Sequence, residues 1–84
     1  MKYELRILPS AEREIDKLSR EVHDRISKKI LTLEDNPRPV SVKKLSGREE
    51  YRLRIGDYRV LYTIDDKNGL AIILAVGHRK EVYR

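Results

Sequence analysis

The chain begins with a short alternation of apolar and polar residues, continues with a helical spacing, and then returns to alternation. Residues 3–8 alternate and predict a first strand. Apolar residues of 11–33 then recur mainly at spacings of three and four, with a break near Ser19, which predicts two amphipathic helices in a hairpin. Ser10 is the predicted N-cap of the first helix. The positions predicted to face the core are Ala11, Ile15, Leu18, Val22, Ile26, Ile30 and Leu33.

From Val40 onward the apolar residues recur mainly at every second position. The strand-like segments are VSVKKL, YRLRI, YRVLYTI and LAIILAVG. They are separated by the turn signals SGREE, GD and DDKNG. The last segment is apolar on both faces from Leu70 to Val76, which predicts an interior strand. We interpret residues 1–84 as one α+β domain of order β-α-α-β-β-β, with the helix hairpin covering one side of a mainly antiparallel sheet.

The hairpin YRLRIGDYRVLY places arginines directly opposite each other. A two-residue turn at Gly56 and Asp57 pairs Arg54 with Arg59 on one face, although like charges across a ladder repel. Tyr51, Tyr58 and Tyr62 have the opposite parity and are interpreted as core residues.

Pairing Ile64 with Leu70 extends this face to the last strand and places Arg59 opposite Ala75. The arginines predicted to share the face are Arg52, Arg54, Arg59 and Arg79, with no acid of matching parity in the predicted strands. Guanidinium groups match phosphate oxygens, so the pattern predicts a phosphate site. The same register puts Leu61 and Ile73 on this face.

Charge and composition narrow the function. Residues 1–37 carry eight Lys and Arg against eight Asp and Glu, whereas residues 38–84 carry eleven against six, so the net charge of +5 lies in the second part. This asymmetry is typical of a polyanion-binding surface and also of a solvated basic face. Cysteine is absent and no apolar run has membrane-spanning length, so we expect a soluble cytoplasmic protein. The sequence shows no glycine-rich phosphate loop, metal-binding cluster or Ser-His-Asp set, so we expect neither a metal nor another cofactor.

The C-terminal VGHRKEVYR adds His78, Arg79, Lys80 and Tyr83. Over essentially the whole chain, the order of elements, the arginine hairpin and this ending resemble the RelE branch of the RelE/ParE toxin superfamily. The resemblance implies an endoribonuclease that cuts mRNA in the ribosomal A site and is neutralised by a RelB-like antitoxin in a hetero-oligomer. The implied partners are therefore the antitoxin, the ribosome and mRNA, with no membrane.

The resemblance also assigns roles to residues. Arg59 would stabilise the scissile phosphate, Arg79 would stabilise charge or protonate the leaving 5′-oxygen, and Tyr83 would activate the 2′-hydroxyl or orient the base. His78 is either a substitute acid or base or a residue that only caps a strand end. Predicted RNA-binding residues are Arg52, Arg54, Lys80, Lys43 and Lys44. Arg52 and Arg54 stand where well-known RelE toxins have lysines, and arginine stays charged, so their role would be electrostatic only.

Two other functions remain open. One is a ParE-like toxin that inhibits DNA gyrase, and the other is a catalytically degenerate module that binds an antitoxin or RNA. Arg59, Arg79 and Tyr83 favour the nuclease, because ParE-type members generally lack this set.

Overall fold

A computed structural model describes residues 2–40, 42–44 and 50–78. Its elements, in chain order, are β1 (Glu4–Ile7), α1 (Pro9–Asp16), α2 (Arg20–Thr32), β2 (Lys43–Lys44), β3 (Glu50–Ile55), β4 (Tyr58–Asp65) and β5 (Leu70–His78). The predicted α+β class is confirmed. Four strands follow the helices in the described chain, one more than in the order β-α-α-β-β-β. The additional strand is the lysine pair of the strand-like segment VSVKKL, which pairs with β3.

The strands form a five-stranded sheet in the order β1-β5-β4-β3-β2. β1 runs parallel to β5, and the other neighbours are antiparallel. β5 therefore lies between two strands over its first half, which confirms the interior position predicted from its apolar character. A parallel neighbour needs a crossover connection, and the helix hairpin supplies it.

Both helices pack on one face of the sheet. Ala11 and Ile15 of α1, with Ile26 and Ile30 of α2, are buried as the helical spacing predicts. They meet the apolar side of β3, β4 and β5, which includes Leu53, Val60, Tyr62, Ile73 and Val76. The opposite face of the sheet is the one that carries the arginines.

The helix ends differ in their capping. Ser19 precedes α2 and accepts a hydrogen bond from the backbone N–H of Val22 at 3.4 Å. The predicted N-cap of α1 was wrong, because Leu8 occupies that position and Pro9 begins the helix. Proline suits the first helical position, where its missing N–H would have no helical partner. Within the described residues, neither helix is long and apolar enough to cross a membrane.

The β3–β4 hairpin has the predicted register, with Ile55 opposite Tyr58. Gly56 has φ of +59°, and no non-glycine residue in the described chain has positive φ. A positive φ at only the first turn residue is that of a type II′ turn, which favours glycine there. A Cβ at this position would also come within 2.7 Å of an Arg25 nitrogen. The turn therefore fixes which residues of β3 and β4 face each other.

The β4–β5 register differs from the predicted one. Asp65, not Ile64, lies opposite Leu70, and the pairing shifts by one residue between Leu61 and Tyr62. Leu74 is the extra residue on β5, since Tyr62 pairs with Ile73 and Leu61 pairs with Ala75. A bulge of this kind reverses the faces of all residues beyond it.

Candidate functional site

Four basic residues of β2, β3 and β4 share the sheet face opposite the helices, and we call this set the basic face: Lys43, Arg52, Arg54 and Arg59. Arg54 lies opposite Arg59 across the hairpin, as predicted, and Lys43 lies opposite Arg52. Three different strands therefore bring cationic side chains to one surface. Their mutual repulsion favours an anionic ligand that can lie between them.

The bulge changes what stands beside Arg59. Arg59 lies opposite Gly77, and Ala75 lies opposite Leu61, so the predicted pairing of Arg59 with Ala75 was wrong. Leu61 shares the basic face, as predicted. Ile73 does not, because it lies before the bulge and is fully buried in the core.

Arg59 is the one charged residue that the described part of the chain buries, with 5% of its surface exposed. Its Nη1 donates to the carbonyl oxygen of Tyr58 at 3.5 Å. Burying a charge is costly unless polar groups form hydrogen bonds with it. A fixed guanidinium beside Gly77 would present hydrogen-bond donors in a nearly constant geometry, which is what recognition of one phosphate group needs.

The prediction that the face has no acids was wrong. Glu50 and Asp65 extend β3 and β4 by one residue beyond the predicted strands, and both have the parity of the basic face. Glu4 also shares it through β1 and makes a 2.8 Å ion pair with Arg6. These acids lie toward the opposite end of the strands from Arg54, so the face is basic at the hairpin end and mixed at the other.

His78 and Lys44 lie away from the basic face. His78 is opposite Tyr58, on the helix side of the sheet, and the two rings meet edge to face with centroids 5.8 Å apart. Lys44 is opposite Tyr51 and exposed. The structure therefore does not bring His78 together with Arg59 on one face.

His78 lies at the wall of an open cleft of about 380 Å³ that we call the His78 cleft. Its lining residues are Glu14, Lys17, Leu18, Tyr58, Val76, Gly77 and His78. The other predicted site residues, Arg79, Lys80 and Tyr83, lie outside the described residues, and their roles stay predictions. In residues 2–40, 42–44 and 50–78, no group of three His, Cys, Asp or Glu could hold a metal ion.

Sequence reasoning missed a polar network at the far end of the sheet. Arg38 donates to both carboxylate oxygens of Asp66, at 3.1 and 2.8 Å, and its guanidinium lies 5.3 Å from the centre of the Tyr51 ring. Tyr3 also donates to Asp66, at 2.7 Å. The hydrogen bond from Arg38 is the main reason that the pKa of Asp66 falls to about 2. The segment DNPRP indicated only a helix end, so it gave no sign of these contacts.

Residues 5–83 match the sequence family described as the ParE toxin of the type II toxin-antitoxin system parDE, and the chain belongs to this family. It is 43% identical over 49 residues to the toxin RelG of Mycobacterium tuberculosis. That match covers 55% of this chain and 56% of RelG, so the chain spans little more than half the length of this curated relative.

Two solved structures are similar over almost the whole chain. The archaeal RelE-RelB complex from Pyrococcus horikoshii matches with a TM-score of 0.85 at 30% identity, covering 98% of this chain and 100% of that one. The toxin-antitoxin complex RelBE2 from Mycobacterium tuberculosis matches with a TM-score of 0.83 at 29% identity, covering 94% and 100%. The predicted membership of the RelE/ParE superfamily, on its RelE-like side, is confirmed.

Proposed function

We propose that the protein is a toxin that cleaves mRNA in the ribosomal A site and is neutralised by a RelB-like antitoxin. The observation that carries this proposal is the buried Arg59 on the basic face, directly opposite Gly77. Glycine has no side chain, so Gly77 itself places no side-chain atoms beside Arg59. Similarity to RelE structures supports the same function.

The proposed reaction is attack of the message's own 2′-hydroxyl on the adjacent phosphorus. The bond to the 5′-oxygen breaks as the new bond forms, the 2′-hydroxyl gives its proton to a base, and the 5′-oxygen receives one from an acid. Arg59 would stabilise the phosphate oxygens in the transition state. We assign the base to Tyr83, and Arg79 would stabilise the charge on the leaving 5′-oxygen or protonate it. His78 is the alternative acid or base, although it faces the other side of β5 from Arg59.

The first test is cleavage of a defined mRNA on purified ribosomes. Arg59→Ala should lower the rate by about 10² to 10³, the scale expected when one preorganised electrostatic group is removed. Arg13→Ala, which removes an exposed arginine from α1, is the matched control and should leave the rate unchanged. Circular dichroism should show that both variants are folded.

The products identify the nucleophile. We expect a 2′,3′-cyclic phosphate upstream of the cut and a 5′-hydroxyl downstream, and a 2′-deoxy nucleotide at the cut should block the reaction. A 5′-phosphate made only in the presence of Mg²⁺ would contradict the proposal, because metal-activated water would then be the nucleophile.

A second candidate is a ParE-like inhibitor of DNA gyrase, which the description of the matching family favours. The two functions differ in what induced expression does to a cell. A nuclease should stop translation and leave cut messages, whereas a gyrase inhibitor should leave intact mRNA and cause DNA breaks. Intact mRNA together with DNA breaks would therefore reject the nuclease.

A further inference from the structure

One hydrogen bond joins α1 to the second half of β5. A carboxylate oxygen of Glu14 accepts from the backbone N–H of Val76 at 3.1 Å. β1 pairs with β5 only as far as Ile73, so within the described chain the later residues of β5 have a strand neighbour on one side, β4. Glu14 thus supplies an acceptor at the edge where the strand neighbour has ended.

The segment that Glu14 holds is the one that forms the end of the proposed site. Gly77 follows Val76 directly and lies opposite Arg59, and His78 then packs against Tyr58. The bulge at Leu74 interrupts the ladder just before this segment, and bulges change the local bend and twist of a strand. Pairing with β4 alone therefore leaves the direction of the segment less constrained than in a regular ladder.

The packing of α1 against the sheet holds Glu14 in a fixed position. It lies one residue before buried Ile15 and three after buried Ala11, so the packing of α1 sets where its carboxylate points. It also lines the open His78 cleft, so shortening its side chain would not leave an empty space in the core.

We propose that Glu14 is a positioning residue for the cleavage reaction. Through the N–H of Val76 it fixes Gly77 relative to Arg59, and this sets the space beside the guanidinium in which the scissile phosphate would bind. The inference rests on the proposed function, and it adds a residue from the helical half of the chain to a site that otherwise lies on the strands.

Three substitutions distinguish the effect of the length of the Glu14 side chain from the effect of its charge. Glu14→Ala removes the acceptor, Glu14→Asp keeps the charge on a side chain one methylene shorter, and Glu14→Gln keeps an acceptor oxygen at full length. We expect the first two to lower the single-turnover cleavage rate on saturating ribosomes by about tenfold, because small misplacements of reacting groups are costly. Glu14→Gln should retain most of the rate, and ribosome affinity should change little in all three. Glu12→Ala, an exposed acid on the same helix, is the control.

Amide hydrogen exchange of the free protein gives a second readout that does not depend on activity. Exchange at Val76 and Gly77 should quicken in Glu14→Ala and Glu14→Asp, and should stay near the wild-type rate in Glu14→Gln. Unchanged exchange, or quicker exchange with an unchanged cleavage rate, would overturn the positioning role. If the wild-type protein cleaves no mRNA, the proposed function is wrong, and the positioning role of Glu14 is wrong with it. If the wild-type protein cleaves mRNA and the variants cleave it equally fast, only the role of Glu14 is rejected.

Discussion

Tyr62 shows how a single polar group is satisfied inside the core. It is fully buried, and its hydroxyl donates to the carbonyl oxygen of Pro37 at 2.7 Å. Burial is the main cause that raises the pKa of Tyr62, so the phenol is neutral at physiological pH. This one bond fastens the segment after α2 to the central strand of the sheet.

Tyr62→Phe should destabilise the protein by about 1 to 2 kcal/mol, because it removes this bond and leaves the buried carbonyl of Pro37 without it. Urea unfolding should show a lower midpoint at an unchanged m-value. Tyr58→Phe is the control, since the described structure gives that half-buried hydroxyl no hydrogen bond. Equal midpoint shifts in the two variants would argue against a special role of the Pro37 contact.

Asp66 should control part of the stability in acid. Its pKa is about 2 in the folded protein and 3.8 as the ordinary value, so the folded state holds this carboxylate ionised to lower pH. The contribution of Asp66 to the free energy of unfolding is present above about pH 4 and is lost as the pH falls toward 2. Asp66→Asn should therefore flatten the fall of the urea midpoint in this range.

The control for this acid prediction is Asp35→Asn, an exposed carboxylate outside the network. Asp65 also has a lowered pKa, mainly through its hydrogen bond with Asn68, so some acid sensitivity should remain in Asp66→Asn. The same slope in Asp66→Asn as in the wild-type protein would show that the Arg38 contact does not couple to folding.

At the scale of elements, the accuracy of the sequence predictions follows from how locally each feature is determined. The arginine hairpin was predicted correctly because a two-residue turn fixes its register, and the helix stripes were correct because three- and four-residue spacings fix a face. The β4–β5 register was not, for two reasons. β4 runs to Asp65, one residue beyond its predicted end, and Leu74 lies within a continuous apolar run, where an extra residue leaves no change of pattern. The parallel pairing of β1 and the Glu14 contact join residues distant in sequence, which periodicity cannot reveal.

The bulge provides a sharp test of the observed register. Deleting Leu74 should give a regular ladder in which Ile73 still faces the core and Ala75 still faces outward, because the pairing on each side of the bulge is kept. We expect this variant to fold with a near-normal circular dichroism spectrum but to cleave mRNA at least about tenfold more slowly, since the direction of the segment with Gly77 would change.

Deleting Leu53 is the control for this experiment, because the ladder of β3 with β4 has no extra residue. This deletion would turn neighbouring side chains such as Arg52 to the core face and should unfold the protein. Equal stability of the two deletion variants would show that the bulge at Leu74 does not absorb a deletion.

At the scale of the whole molecule, two surfaces on opposite sides of the sheet differ in chemistry. One is the basic face. The other is an apolar groove of about 280 Å³ beside β1, lined by Leu5, Ile7, Ile15, Ser27, Ile30, Leu31 and Glu34. Ile7 and Leu31 are exposed by 39% and 56%. Leu61 and Ile73, which the predicted register placed together on the basic face, would have offered an antitoxin two apolar anchors there. Because Ile73 lies in the core instead, charge is the main feature left for recognition on this face.

We predict that the antitoxin covers the basic face with acidic side chains, so Arg52→Ala combined with Arg54→Ala should weaken binding at least about tenfold, or about 1.4 kcal/mol. The loss should shrink at high salt, because screening weakens exposed charge pairs. Calorimetry with the cognate antitoxin would measure both effects. Arg13→Ala combined with Arg20→Ala removes the same charge from the helices and should change affinity by less than about twofold. If the arginine variant binds normally while Leu31→Glu abolishes binding, the antitoxin occupies the groove beside β1, and the basic face would stay open to RNA in the complex.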